Sequence, residues 1–317
     1  MGELIFPHLL SSLNIHMHFL LVSSGGMGST ILQRLITLVL YIENVKVINT
    51  HDLVNKYIDL DHNKNIIRNG KILYGQTLEE VQTVLENSNK STSLISRLSK
   101  DHMDHRNETD PKKFYDFLTN FYTKLLSCER ENVFELTLSL AIKAKSDIYN
   151  VFDDNDRKTV ENVTNVDEGY FIHKLKGYIE YKQWIDENFP GIPKITYEEL
   201  INDTDNVLHS ITGYHDTLRN HFGIPMSEIL RIQYQKDNLN KEQERALSRY
   251  TSLCERLIQD GILREVPIKN SSLQDKKHRI TNFDRCLKIF YQFTKDIDCI
   301  DKSKATYDSW NRKEIVI

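Results

Sequence analysis

The sequence predicts a three-layer α/β fold: a central parallel sheet of about five strands, helices on both faces and a helical C-terminal third. Three observations carry that expectation. Short apolar runs rich in β-branched or aromatic residues alternate with longer stretches of helical spacing, the pattern of βαβ units. Only 12 Gly and 6 Pro occur in 317 residues, about half the usual share of turn formers, which disfavours all-β and collagen-like chains. Hydrophobic residues make up 39%, enough for a sizeable core and too many for wholesale disorder.

The expected strands are residues 18–22, 45–49, 93–97, 122–128 and, more weakly, 192–196. The first helix, 29–42, carries Ile31, Leu32, Leu35, Ile36 and Val39 on one broad face. A second, 77–85, opens with Thr77 and Glu80 in capping-box spacing. A third, 241–258, places Leu247, Tyr250, Cys254, Leu257 and Ile258 at helical intervals. No repeat or low-complexity linker divides the chain. One domain over 1–317 is expected, with its core at about 15–297 and with 1–14 and 298–317 peripheral.

Charge excludes some functions. With 41 basic and 45 acidic residues the net charge is −4, so no global positive field gathers nucleic acid or an anionic membrane. No apolar run approaches the roughly 20 residues of a membrane span. The opening residues lack a cationic n-region, and Phe6 stands where a Gly2 myristoylation signal prefers a hydroxyl. The four cysteines, Cys128, Cys254, Cys286 and Cys299, form no paired motif, as suits a reducing, cytoplasmic setting.

The most informative stretch is HFLLVSSGGMGSTILQRLI, residues 18–36. An apolar strand runs into Ser24, Gly25, Gly26, Met27, Gly28, Ser29 and Thr30 and then directly into an amphipathic helix. Unpaired amides converge at such a helix start, and the helix dipole adds positive potential, so the turn is a candidate anion site. Ser29 and Thr30 are expected to cap the helix and to donate hydroxyl hydrogen bonds. The plain alternative is a glycine turn. Three glycines and four hydroxyls within residues 23–30 exceed what a turn requires. No lysine precedes Ser29, which disfavours a Walker A loop, and Ile31 stands where a dinucleotide fingerprint needs its third glycine.

These residues resemble the sulfotransferase family that uses 3′-phosphoadenosine 5′-phosphosulfate (PAPS). Gly28, Ser29 and Thr30 match its loop, while Gly26 departs where the family places a cation. A second block, 122–149, looks like the family's 3′-phosphate element. There the resemblance gives Arg130 and Ser139 the grip on that phosphate, one by a guanidinium fork and the other by a hydroxyl. A third, IPKITYEEL at 192–200, makes Tyr197 a candidate for stacking near the adenine, with a packed core tyrosine as the alternative. A fourth, 267–283, offers Lys276, Lys277 and Arg279 as a basic flap, although a solvated helix start is the simpler reading.

The resemblance implies a sulfuryl transfer to a hydroxyl or amine, with PAPS as donor and no metal. The family's base follows the third strand, where SLISRLSKDHMDHR places His102 and His105; a near-neutral imidazole suits proton abstraction. Arg97 or Lys100 would replace the cation that Gly26 lacks. The pattern is most similar to divergent, phage-encoded members. A small molecule or glycan is the expected acceptor, but composition does not distinguish sugar, lipid, peptide or alcohol. Two other classes stay open: a non-catalytic nucleotide- or sulfate-binding protein on the same fold, and an atypical P-loop kinase.

Overall fold

The structure is a computed structural model that describes residues 16–54, 77–87, 92–104, 111–148, 154–233, 238–263, 272–308 and 313–315. The expectations for 1–14 and for His105 lie outside the described residues.

Five parallel strands form the sheet in the order β2-β3-β1-β4-β5: β1 (His18–Ser23), β2 (Val47–Asp52), β3 (Ser93–Ser99), β4 (Lys124–Glu129) and β5 (Lys194–Thr196). Strand β1 lies in the middle, and Phe19 to Val22 are fully buried. That burial explains why it reads as an unbroken apolar run rather than an alternating one. Helix α1 (Ser29–Ile42) leads to β2, and the chain returns through α2 (Leu78–Glu86) to β3. It then crosses through α3 (Lys100–Asp104) and α4 (Lys112–Phe121) to β4, on the far side of β1. Strand order therefore reverses around β1, and such a switch point opens a crevice beyond the carboxyl ends of the strands.

Helices cover both faces. Around β4 and β5 in the chain come α5 (Val133–Ser146), α6 (Asp154–Glu161), α7 (Glu168–Asn188) and α8 (Tyr197–Asn202); α8 packs on β5, and α6 and α7 pack on α5. The remainder is mostly helical: α9 (Thr204–Thr212), α10 (Thr217–Phe222), α11 (Met226–Ile232), α12 (Lys241–Gln259), α13 (Leu273–Arg279) and α14 (Phe283–Phe293). Helix α1 packs with α9 and α10, while α5 packs with α7 and α14 on the other side. Among the described residues no helix is long and apolar enough to cross a membrane.

Local rules account for most boundaries. Thr77 and Glu80 form the expected capping box of α2, as do Asn240 and Gln243 on α12. Strand β2 runs to Asp52 rather than stopping at 49. Its second half is polar yet buried: Thr50 bonds Ser96, Asn49 bonds Thr37 and Asp52 pairs with Arg97. Strand β4 starts at Lys124 rather than 122. Tyr122 is spent on the preceding turn, where its hydroxyl lies 2.6 Å from Ser96 Oγ.

The tail departs from the expected peripheral position. Residues Lys302–Thr306 form a 3₁₀ turn, followed by β6 (Tyr307–Asp308) and β7 (Lys313–Glu314), an antiparallel pair. Ile300, Ala305, Asp308 and Ile315 are buried. Asn132 Nδ2 donates to Tyr307 O at 2.6 Å, and Gln274 N donates to Asp308 Oδ2 at 2.9 Å. The tail is thus bonded to the turn after β4.

Candidate functional site

Strand register decides which residues meet at the carboxyl edge. Ser23 pairs with Ser99 and Val22 with Ser127, so the turn after β1, the start of α3 and the turn after β4 emerge side by side. Glu129 pairs with Thr196, which sets Arg130 beside Tyr197. Strand β2 aligns Asp52 with Arg97. Helix α7 braces this edge, because Tyr181 Oη lies 3.0 Å from Val22 O and 2.9 Å from Cys128 O.

In the loop, Gly26 and Gly28 take left-handed backbone with φ of 81° and 84°, a region that costs other residues roughly 1–2 kcal/mol. Space reinforces the choice. A Cβ on Gly28 would stand 2.7 Å from the Tyr197 ring, and one on Gly26 would stand 2.7 Å from Leu136 Cδ1. The glycines therefore let α5 and Tyr197 close against the loop. Gly28, and not Ser29 or Thr30, is the N-cap of α1, with no side-chain capping bond. The expected hydroxyl caps are absent because Ser29 already sits at the first helical position. The amides of Gly26, Met27, Gly28, Ser29 and Thr30 meet no acceptor among the described residues. Met27 and Ser29 are buried, so this is a set of orphan donors suited to an anion.

One carboxylate already reaches the loop. Asp101 Oδ2 accepts from Gly25 N at 3.0 Å and from Ser24 Oγ at 3.1 Å. An incoming phosphate or sulfate meets this negative charge. Asp101→Asn is expected to bind a diphosphate or adenosine 3′,5′-bisphosphate (PAP) about two- to fivefold more tightly, the scale of an exposed charge pair. Calorimetry on both proteins checks this, and weaker binding by the variant would mean that Asp101 organises the loop rather than opposing the ligand.

After β4, Arg130 is buried among acids. Its Nε lies 3.1 Å from Glu198 Oε1 and its Nη2 lies 3.5 Å from Glu135 Oε2. Its Cζ stands 4.2 Å from the centroid of the Tyr197 ring. Burial opposes the charge on Arg130, but Glu198 and Glu135 outweigh that and hold its pKa up. Glu198 also accepts from Glu131 N at 2.9 Å at the start of α5. Lys276 of α13 is buried too, with Nζ 3.0 Å from Glu135 Oε1. It is thus part of this cluster instead of a solvated helix start. Arg279 leaves the flap, because its guanidinium caps α6 through the Val160, Glu161 and Val163 carbonyls.

Glu135, Ser139 and Lys143 stand four residues apart on one face of α5. Ser139 Oγ donates to Glu135 O at 2.7 Å. Lys143 is half-buried, and no carboxylate among the described residues pairs with it. Burial first, then the nearby Lys276 and Arg130 charges, pull its pKa down to about 8. Leu136 and Leu140, on the adjoining face, reach Gly26. The same helix thus touches the loop and carries Lys143.

The structure brings the loop, Tyr197, Arg130 and Ser139 to one edge of the sheet, with Lys276 joining through Glu135. Sequence reading missed Lys143, Asp101, Glu135 and Glu198. The spacing Glu135–Ser139–Lys143 was a usable signal for Lys143. The Tyr197 ring is 5% exposed and meets both Gly28 and Arg130. It joins the two halves of the site and leaves little open face for an adenine. Trp184 belongs to an aromatic cluster with Tyr115 and Phe189.

After β3, Arg97 forms a double contact with Asp52 at 2.7 and 2.6 Å and also donates to Thr30 Oγ1. Lys100 Nζ pairs with Asp104 at 2.6 Å. Of the two expected replacement cations, Arg97 is the one that touches the loop helix. His102 places Nδ1 3.8 Å from Asp52 Oδ1. Cys128 offers no nucleophile, since burial pushes its thiol up to about 12.

No protein-family model matches the chain. No curated protein matches it either. Among solved structures the chain is similar to retinol dehydratase in a complex with retinol and PAP. Identity is 12% and the TM-score 0.39, covering 89% of this chain and 82% of that one. So loose a likeness carries no functional weight.

Proposed function

We propose that the edge described above binds a PAPS-type nucleotide by both of its anionic ends and that the chain is a sulfotransferase acting on a hydroxyl or amine. The carrying observation is the juxtaposition through Tyr197 of the orphan amides at residues 26–30 with the cationic cluster of Arg130, Lys276 and Lys143. One anionic group suits the amides and a second suits the cluster. Ser139 lies between Glu135 and Lys143 on the helix that connects them.

The residues fit such a group. Among the described residues the amides of 26–30 meet no acceptor and Lys143 meets no carboxylate. The charges of the cluster support the same reading, with three cations against Glu135 and Glu198. PAPS, when bound, supplies the sulfuryl group and leaves as PAP. The chain's own part is to position and to stabilise charge. The amides of 26–30 hold an anion in fixed geometry, Arg97 secures the hydroxyl of Thr30, and His102 is the candidate to accept the acceptor's proton.

Calorimetry with PAP and with adenosine 5′-monophosphate tests the two-ended reading. PAP is expected to bind about ten- to a hundredfold more tightly, as for hydrogen bonds from charged groups. Equal affinity would remove the second anion from the account. A second reading, a binding protein without catalysis, is favoured by Gly26 in the family's cation position and by Asp101 against Gly25. Release of PAP from PAPS separates the two. The kinase reading has only the loop itself, which lacks the lysine before Ser29.

A further inference from the structure

Lys276 carries a charge into the interior on a helix of seven residues, too short to hold itself. Its Nζ lies 3.0 Å from Glu135 Oε1 on α5. The far end of α13 is fixed on the α6 side. Arg279 donates to the Val160 and Val163 carbonyls, and Thr281 N donates to Thr164 O at 2.8 Å. The near end meets the tail, where Gln274 N donates to the fully buried Asp308 at 2.9 Å. One residue earlier, Tyr307 O accepts from Asn132 Nδ2 at 2.6 Å. The same Asn132 side chain caps α5, since its Oδ1 accepts from Glu135 N at 2.8 Å. These bonds close a ring. It runs from α13 through Asp308 and Tyr307 to Asn132, along the first turn of α5 to Glu135, and back through Lys276.

We propose that this stretch of tail is a clamp, in which Asn132 and Asp308 are positioning residues that tie Tyr307 and Asp308 across α5 and α13 and so hold Lys276 in the cationic cluster. For ligand binding this rests on the reading of that cluster as the seat of a second anion. A buried ammonium is tolerated only with its carboxylate in contact. A carboxylate on one helix meets an ammonium on another only while the two helices keep their spacing. Asp308 sets that spacing from the α13 side and Asn132 from the α5 side, through neighbouring residues of one two-residue strand. Packing supports the same geometry. The 3₁₀ turn that leads into the strand lies against α5 with Ala305 buried, and Ile315 N donates to Thr306 O at 2.9 Å.

Two variants of the full chain test the clamp from its two sides. Asp308→Ala removes the acceptor of Gln274 N. Asn132→Ser keeps an oxygen that can cap α5 and removes the nitrogen that holds Tyr307 O, so it answers the question should the first variant fail to fold. Without nucleotide, amide exchange at Lys276 and Ile280 is expected to quicken about tenfold or more in each. The Lys143 amine gives the more specific readout. Burial first, then Lys276 and Arg130, hold its midpoint at about 8. A released α13 is expected to let it rise by about half a unit or more, followed by nitrogen NMR of the side chain. Unchanged exchange would overturn the proposal. So would an unchanged midpoint beside faster exchange, because the tail would then stabilise α13 without placing Lys276. With nucleotide, the preference for PAP over adenosine 5′-monophosphate is expected to fall about tenfold while the monophosphate's affinity stays level. A parent without that preference would sink the two-ended reading, and the exchange and midpoint readouts would still decide the clamp.

Discussion

Arg130→Ala is expected to lower the unfolding free energy by about 3–5 kcal/mol, the cost of leaving buried charges without their partner. Glu198 is buried with Arg130 as a facing cation, and Glu135, beside Lys276, also loses the guanidinium. The Tyr197 ring also loses its stacked cation and its link between loop and cluster. Urea unfolding of the two proteins measures the loss. A change of under about 1 kcal/mol, typical of an exposed pair, would mean that Arg130 stands free of the carboxylates and open to ligand. The arginine is thus a poor single probe of nucleotide binding, because its removal disturbs the scaffold that holds the site.

Lys143→Met has the opposite profile. The charged lysine is half-buried beside two other cations and, among the described residues, without a carboxylate, so the fold gains nothing from its charge. The variant is expected to be at least as stable as the parent while binding PAP about ten- to a hundredfold more weakly. The pH dependence has a definite sign. Its pKa is about 8 in the folded chain against the ordinary 10.5, so between those values the unfolded chain binds more protons and stability rises with pH. Below about pH 8 the lysine is charged in both states, and its contribution to the slope vanishes. Affinity for PAP follows the charge and is expected to fall as pH rises through 8. Thermal unfolding and calorimetry between pH 7 and about 9.5 read both effects; an affinity that stays level through that range would exclude Lys143 from the ligand.

The sheet was legible because its strands are buried on both faces. Phe19 to Val22 and the loop that follows announce themselves locally, and α1 begins and ends where periodicity places it. Legibility failed where polarity serves the site. Strand β2 was cut short at 49 because Asn49, Thr50 and Asp52 are buried polar residues that pair with Thr37, Ser96 and Arg97. The β6–β7 pair is two residues per strand, too short for any alternating pattern to register.

The site was half legible for a related reason. Gly28, Ser29, Arg130, Ser139 and Tyr197 sit at element ends that sequence patterns mark. What joins them is register: Glu129 opposite Thr196 brings Tyr197 and Glu198 to Arg130 across roughly 67 residues of chain, as no local rule could. Nothing local in the sequence marks Lys143. The packing of α13 and α5 gives it cations for neighbours and, among the described residues, no acid. Asp101 was passed over because a carboxylate on a phosphate loop runs against the expected charge.

The central claim is that two separate parts of one edge take hold of two ends of one molecule. Crossing ligand with variant examines it most directly: PAP and adenosine 5′-monophosphate titrated into the parent, Lys143→Met and Asp101→Asn. The account predicts that Lys143→Met abolishes most of the preference for PAP while leaving the monophosphate's affinity unchanged, and that Asp101→Asn strengthens both ligands alike. If Lys143→Met weakened the two nucleotides equally, the lysine and the loop would not be reading different ends, and the two-ended site would be contradicted.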